Sequence, residues 1–161
     1  MTSETTAPVG PFYDALHANY IVTLGDKLDS PTSYEGAVTE HLRVSGVYWS
    51  LAALALLRTE GEVDDLMGLT KPIQAATDGT DENKIRSAIV DWVFQCYDAR
   101  VGGFGGNCSG ENPHDAHLLY TLSALQVLAI SNSLDDERLD KDAIANYVSS
   151  LQNEDGSFSG D

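Results

Sequence analysis

Gly102-Gly103-Phe104-Gly105-Gly106 and Gly156-Ser157-Phe158-Ser159-Gly160 each close a segment of helical periodicity, and the chain stops at Asp161. A helix followed by a glycine-aromatic-glycine turn, present twice, marks an array of helical hairpins. The units of such an array bury their apolar faces only by stacking on one another. An array that stops on a turn is expected to be incomplete.

The segments before the two turns repeat in register. Ile144, Tyr147, Val148 and Leu151 lie 55 positions after Ile89, Trp92, Val93 and Cys96, so one spacing fits all four apolar positions. These are the outer helices of the hairpins, with Arg86, Ser87 and Asp91 on the opposite face of the first. A further pair of segments, Val47 to Leu57 and Leu118 to Ile130, is apolar on nearly every side and predicts inner helices enclosed by protein. Tyr120, Leu122, Ala124, Leu125 and Leu128 fall 71 positions after Trp49, Leu51, Ala53, Leu54 and Leu57. The larger offset places extra residues between the first inner helix and its partner.

Those extra residues are Arg58 to Asn83, where Gly61, Gly68, Pro72 and Gly79 mix with acidic side chains and no period is sustained. We read residues 58–83 as a loop insertion. Upstream, Phe12, Leu16, Tyr20 and Leu24 recur at steps of four behind Pro11, which suits a first helical turn. Gly25-Asp26 and Ser30-Pro31 are expected to end that helix, and a second runs from about Tyr34 to Leu57. Asn112-Pro113 is expected to start the second inner helix, and Ser133 to Asp136 to turn the chain. The fold expected from these patterns is all-α, an incomplete array of helical hairpins with glycine-rich turns, over 11–161 behind a flexible 1–10.

Composition bounds the partners. The 161 residues are 42% hydrophobic, enough for one globular core, and Asp plus Glu outnumber Lys plus Arg by 25 to 9. A net charge of −16 repels phosphate backbones and anionic membrane surfaces, so nucleic acid is a poor partner. No stretch reaches the roughly 18 apolar residues of a membrane span, and Met1 to Gly10 has no signal-peptide pattern. Two cysteines, Cys96 and Cys108, are too few for a secreted disulfide framework, which points to the cytoplasm.

Inner helix, outer helix and glycine-aromatic turn, repeated, resemble the β subunits of protein prenyltransferases and the related terpene cyclases, and that resemblance implies an incomplete α/α barrel (toroid) with the glycine-rich turns at its rim. The words EHLRVSGVYWSLAAL, PHDAHLLYTLSALQVLAI and YVSSLQNEDGSFSGD are most similar to the β subunits of type II (Rab) geranylgeranyltransferases. The resemblance covers His17 to Asp161 apart from the insertion. It departs at the first turn, where Tyr97 stands in the place of Gln152 and Gln95 sits two residues early.

The resemblance implies a reaction in which a zinc-bound cysteine thiolate of a Rab C-terminus attacks the first carbon of geranylgeranyl diphosphate. Zinc lowers the thiol pKa, and cations stabilise the departing diphosphate. The implied partners are a prenyltransferase α subunit and a Rab GTPase presented by Rab escort protein. The family's zinc ligands and most diphosphate-binding cations belong to the later half of the subunit, beyond Asp161. Zn2+ is therefore expected of the full-length protein, with no ligand and no catalytic residue in this chain, which alone should be inactive. Matching the same words, Ser45, Trp49 and Leu122 resemble lipid-pocket positions, small Ser45 leaving length for a long prenyl chain.

Simpler readings stand beside these. Buried helix packing accounts for Trp49 and Leu122 as well as pocket lining does. Gly46, inside a helix at a cost of about 1 kcal/mol relative to alanine, serves close packing or ligand room. His114 and His117, at i and i+3 beside Asp115 and near Cys108, outline a metal site, yet capping suffices at a helix start. Cys96 lies on an apolar face, as a buried small residue does. Arg43 has Glu40 within reach for an ion pair. The first glycine turn lacks the lysine and the preceding strand of a nucleotide loop. Two other functions remain open: a terpene-cyclase-like barrel, for which Leu134-Asp135-Asp136-Glu137 offers only a loop, and a noncatalytic helical-repeat scaffold.

Overall fold

The computed structural model describes residues 12–28, 32–57, 82–109 and 112–161. Six α-helices are present among them: α1 (Asp14–Leu28), α2 (Tyr34–Val38), α3 (Arg43–Leu57), α4 (Glu82–Gln95), α5 (Leu118–Ile130) and α6 (Lys141–Ser150). Two minimal antiparallel pairs join α4 to α5. The first pairs β1 (Tyr97–Asp98) with β2 (Gly103–Phe104), and the second pairs β3 (Cys108–Ser109) with β4 (Asn112–Pro113). The expected flexible 1–10 lies outside the described residues. So does the expected loop at 58–83, except that Glu82 and Asn83 open α4.

Helix α3, uncharged after Arg43, and the uncharged α5 pack side by side at the centre, with α1 against α3 and α4 against α5. Val44, Leu51 and Leu54 of α3 meet Ala124, Val127 and Leu128 of α5 in one buried cluster. Val90, Val93 and Cys96 extend it on one flank and Ile144 on another. The outer-helix register holds in three dimensions: Ile89, Trp92, Val93 and Cys96, like Ile144, Tyr147, Val148 and Leu151, all face inward as buried or half-buried residues. This is the helical-hairpin architecture that the repeat predicts, and among the described residues it forms an open array without barrel closure.

Several boundaries differ from expectation. Helix α1 runs through Gly25 to Leu28, because one glycine costs a helix only about 1 kcal/mol. Its recurrent stripe faces outward: Phe12, Leu16, Tyr20 and Leu24 are exposed, while Ala18 and Ile21 face the core. The single helix expected from Tyr34 to Leu57 is broken at Thr39, whose φ of −107° and ψ of 8° leave the helical region. There Thr39 Oγ1 bonds back to Glu35 O at 2.7 Å, and a 3-10 turn, Glu40–Leu42, leads into α3. Asn112-Pro113 forms β4 rather than a helix start, since α5 is capped later by His117, whose Nδ1 accepts from Leu119 N at 3.1 Å. Helix α5 ends where expected, with Asn132 left-handed at φ 55° and Ser133 N reaching Leu128 O at 2.7 Å.

The two glycine turns share a plan but not a length. Gly102 and Gly156 take φ values of +80° and +86°, a region that L side chains rarely adopt. In each turn the chain then folds back on the helix it leaves. Gly105 N donates to Cys96 O and Ser159 N to Leu151 O, both at 2.9 Å. The first turn nonetheless departs from the second, as the sequence suggests at Tyr97: Gly102 N donates to Asp98 O, four residues back, whereas Gly156 N donates to Asn153 O, three back, and Tyr97 pairs with Phe104 where Gln152 pairs with Phe158 one residue sooner. The turns differ in enclosure, since Phe104 is fully buried against Tyr97, ring centroids 4.9 Å apart, whereas Phe158 is 47% exposed. Full burial of such a side chain is worth about 1.5–3 kcal/mol.

Candidate functional site

Each glycine turn also docks on an inner helix. Gly106 O accepts from Val44 N at 2.9 Å, at the first turn of α3, and Gly160 O accepts from Leu118 N at 2.7 Å, at the first residue of α5. Helix N-termini present N–H groups without intrahelical partners, and the turn carbonyls satisfy them. The same contact made twice sets α3 and α5 in equivalent positions against their rims.

Between these helices a hydrogen bond crosses the buried seam: Ser45 Oγ and Ser123 Oγ lie 2.9 Å apart, and Ser123 Oγ also donates to Leu119 O at 3.0 Å. Both serines are buried. Ser45 thus has no surface on an open face; its hydroxyl is committed to the neighbouring helix. Trp49, one turn further along α3, is 55% exposed, and Leu122, beside Ser123, is 53% exposed. The structure therefore separates the three candidate lipid-pocket residues, with Trp49 and Leu122 at the surface and Ser45 behind them. Leu119 and Leu56, exposed apolar residues of the same two helices, escaped sequence reasoning. Their signal was available in the spacings, three before Leu122 and seven after Trp49.

From Val44 to Leu57 and from Leu118 to Ile130 no side chain is charged. Such a surface suits hydrocarbon and offers nothing to a diphosphate. Polar groups sit at the α3 entrance instead, the guanidinium of Arg43 among them. Arg43 Nη2 donates to Leu28 O at 3.3 Å, and His114 Nε2 lies 3.2 Å from Ser109 Oγ and 3.7 Å from Glu40 Oε1.

The neighbouring polar side chains serve the turn. Asp98 is almost wholly enclosed and holds Arg100 through two contacts, Nε to Oδ1 at 2.9 Å and Nη2 to Oδ2 at 2.6 Å. The guanidinium keeps the Asp98 carboxyl below the usual carboxylate range, against the opposing effect of burial. His117 caps α5, so the drawn pair His114 and His117 is divided between a side-chain contact and a helix cap. Among the described residues no three His, Cys, Asp or Glu side chains converge as a metal would require. These described side chains do not fit a zinc ion. No described helix is long and apolar enough to cross a membrane.

Comparison with known proteins places the chain. Residues 12–161 match the model of the prenyltransferase alpha-alpha toroid domain. A probable geranylgeranyl transferase type-2 subunit beta of Dictyostelium discoideum is 39% identical over 112 residues, which cover 70% of this chain and 24% of that relative. The geranylgeranyl transferase type-2 subunit beta of Saccharomyces cerevisiae is 33% identical over 146 residues, covering 90% and 36%. That of Candida albicans is 30% identical over 159 residues, covering 93% and 38%. The chain thus spans between 24% and 38% of the length of these curated relatives.

Proposed function

The chain belongs to the prenyltransferase alpha-alpha toroid family, and from that premise we propose that it is a portion of a type-2 geranylgeranyltransferase β subunit that holds the donor's hydrocarbon. The observation that carries this reading is the uncharged, partly open surface of α3 and α5, on which Trp49 and Leu122 stand exposed. An isoprenoid chain laid on it removes apolar area from water at about 25 cal/mol per Å². The serine bridge behind the surface keeps the two helices in fixed register, so the wall is formed before the lipid arrives.

In the complete subunit, the reaction is transfer of geranylgeranyl from its diphosphate to C-terminal cysteines of Rab GTPases presented by the escort protein, with an α subunit as permanent partner. The cytoplasm suits cysteines carried as thiols. Zinc, diphosphate binding and thiol activation belong to other parts of that assembly. Residues 1–161 contribute lipid binding and exclusion of water, and alone they do not turn over.

The test combines binding with activity. A fluorescent geranylgeranyl diphosphate analogue should bind the chain, and competition by geranylgeraniol should match competition by the diphosphate. Absence of binding would favour a noncatalytic helical scaffold, and cyclised products from squalene would favour a terpene cyclase. Robust prenyl transfer by residues 1–161 with zinc and the α subunit would overturn the assignment of chemistry elsewhere.

A further inference from the structure

Helix α1 and the two residues before it turn their largest side chains away from the core. Phe12, Tyr13, Leu16 and Tyr20 are between 58% and 71% exposed and Leu24 is partly so, while Ala18 and Ile21 hold the helix to the core. The open side chains are ordered. Tyr13 O accepts from His17 N at 3.1 Å, and the Phe12 ring packs on His17 with centroids 5.2 Å apart. A contiguous apolar face of this kind marks an interaction surface. Its period is specific: Tyr13, Leu16, Tyr20, Thr23 and Lys27 alternate steps of three and four, the seam spacing of two packed helices. Thr23 Oγ1 donates to Asn19 O at 2.8 Å, so its hydroxyl is satisfied within the helix. No residue of the seam is acidic, although the chain carries a net charge of −16, and Lys27 brings a cation to one end.

We propose that this face of α1 pairs with the same face of a second copy of the chain, antiparallel, about a two-fold axis at Tyr20. The proposal is independent of the lipid-binding reading. The face is symmetric about Tyr20: Leu16 and Leu24 lie four residues to either side, and Tyr13 and Lys27 seven. In an antiparallel pair Tyr20 therefore meets Tyr20 of the second copy, and Leu16 meets Leu24 of the second copy. Lys27 reaches the ring of Tyr13 of the second copy, a cation–π contact. One patch thus serves both subunits, as a two-fold interface requires. Packing about 20° off antiparallel lets the contact run along the helix.

Area and charge favour this occupant. Phe12, Tyr13 and Tyr20, at about two-thirds of the roughly 150–250 Å² that aromatic side chains can bury, offer about 400 Å² per chain. That is about half of the roughly 800 Å² per partner of a standard interface, before Leu16, Leu24 and the Lys27 stem are added. Because the seam has no acidic residue, two chains of net charge −16 meet there without setting carboxylates against each other.

The experiment is sedimentation equilibrium of the full chain over a micromolar to submillimolar range. We expect the mass to rise with concentration from 17.3 kDa toward twice that value. Tyr20→Glu and Tyr20→Lys each set like charges face to face and should weaken the dimer at least about tenfold. Mixing the two variants should restore it, because only a two-fold axis at this residue places position 20 opposite itself. Circular dichroism checks that the variants fold, and the wild-type series decides by itself whether a dimer forms. A wild-type monomer throughout the range would overturn the proposal. So would a dimer that survives in each Tyr20 variant alone, or one lost in Trp49→Ala and kept in both Tyr20 variants, which would move the contact to α3. A wild-type monomer captured by the prenyltransferase α subunit, with capture lost in Tyr20→Glu, would overturn it by giving the face to that subunit.

Discussion

Ser45 Oγ and Ser123 Oγ meet at 2.9 Å inside the seam between α3 and α5, 78 residues apart in the chain. A buried hydroxyl pair costs desolvation and returns it only while both partners remain. Ser123→Ala leaves the Ser45 hydroxyl without its interhelical partner and should destabilise the chain by about 1 kcal/mol, read from the midpoint of urea unfolding. Ser45→Ala should do the same, and the double variant should lose less than the sum of the two. Strict additivity would show that the hydroxyls do not support one another.

The glycines of the two turns are required for different reasons, and substitution separates them. A Cβ at Gly106 would collide with His41 O, a backbone atom that cannot swing away. Gly106→Ala should therefore shift the turn off α3 and cost about 3 kcal/mol or more. At Gly156 nothing lies within 4 Å, but φ is +86°. Gly156→Ala should cost only the left-handed backbone penalty, about 1–2 kcal/mol. Thermal unfolding of the two variants ranks them, and equal losses would refute the distinction.

The outer helices were legible because the spacing of 55 reflects one environment met twice: a helix lying on the array with one face inward. The inner helices were legible as helices but not in their facing. Leu51 and Leu122 coincide at the spacing of 71, yet one is buried and the other 53% exposed. Helix α3 is packed against α1 and α5, whereas α5 is packed against α3 and α4, so matched positions meet different neighbours. A helix that is apolar all round carries no period to report which side is covered. The same ambiguity explains α1, where the stripe at steps of four is the uncovered side and small Ala18 is the packed one. Among the candidate site residues, the exposure of Trp49 and Leu122 is not legible in helices that are apolar all round, and only the family words single them out. The burial of Ser45 was not, because its partner lies in the next hairpin.

Arg138 joins three groups. It contacts Asp136 through Nη2 at 2.7 Å and Asp91 of α4 through Nη1 at 2.8 Å, and its guanidinium carbon lies 4.1 Å from the Phe94 ring centroid. Its hydrogen bonds hold the Asp136 carboxyl at about 2, below the ordinary value of 3.8. A carboxylate depressed in the folded state stabilises above its unfolded pKa, and the contribution disappears as pH falls through the folded value. Stability from this group should therefore be complete above about pH 4 and decline toward pH 2. Carboxyl NMR titration of Asp136 should show the low midpoint, and Arg138→Gln should return it to the usual carboxylate range. An unchanged midpoint in that variant would remove Arg138 as the cause.

Trp49 gives the lipid surface its own reporter. The chain has two tryptophans, and Trp49 is exposed while Trp92 is half-buried. Geranylgeranyl diphosphate laid over α3 and α5 should move the Trp49 emission to shorter wavelength, and Trp49→Phe should abolish the shift. Because no charge lies on either helix between Val44 and Leu57 or Leu118 and Ile130, geranylgeraniol should produce the same shift and inorganic diphosphate none. Trp49→Ala should weaken lipid binding about tenfold, equivalent to roughly 1.4 kcal/mol, and Leu122→Ala should weaken it by a similar or smaller factor. Ser45→Ala should change stability more than lipid affinity, since its hydroxyl faces Ser123 rather than the open surface. A shift driven by diphosphate alone, or lipid affinity unaltered in Trp49→Ala, would place the binding surface elsewhere.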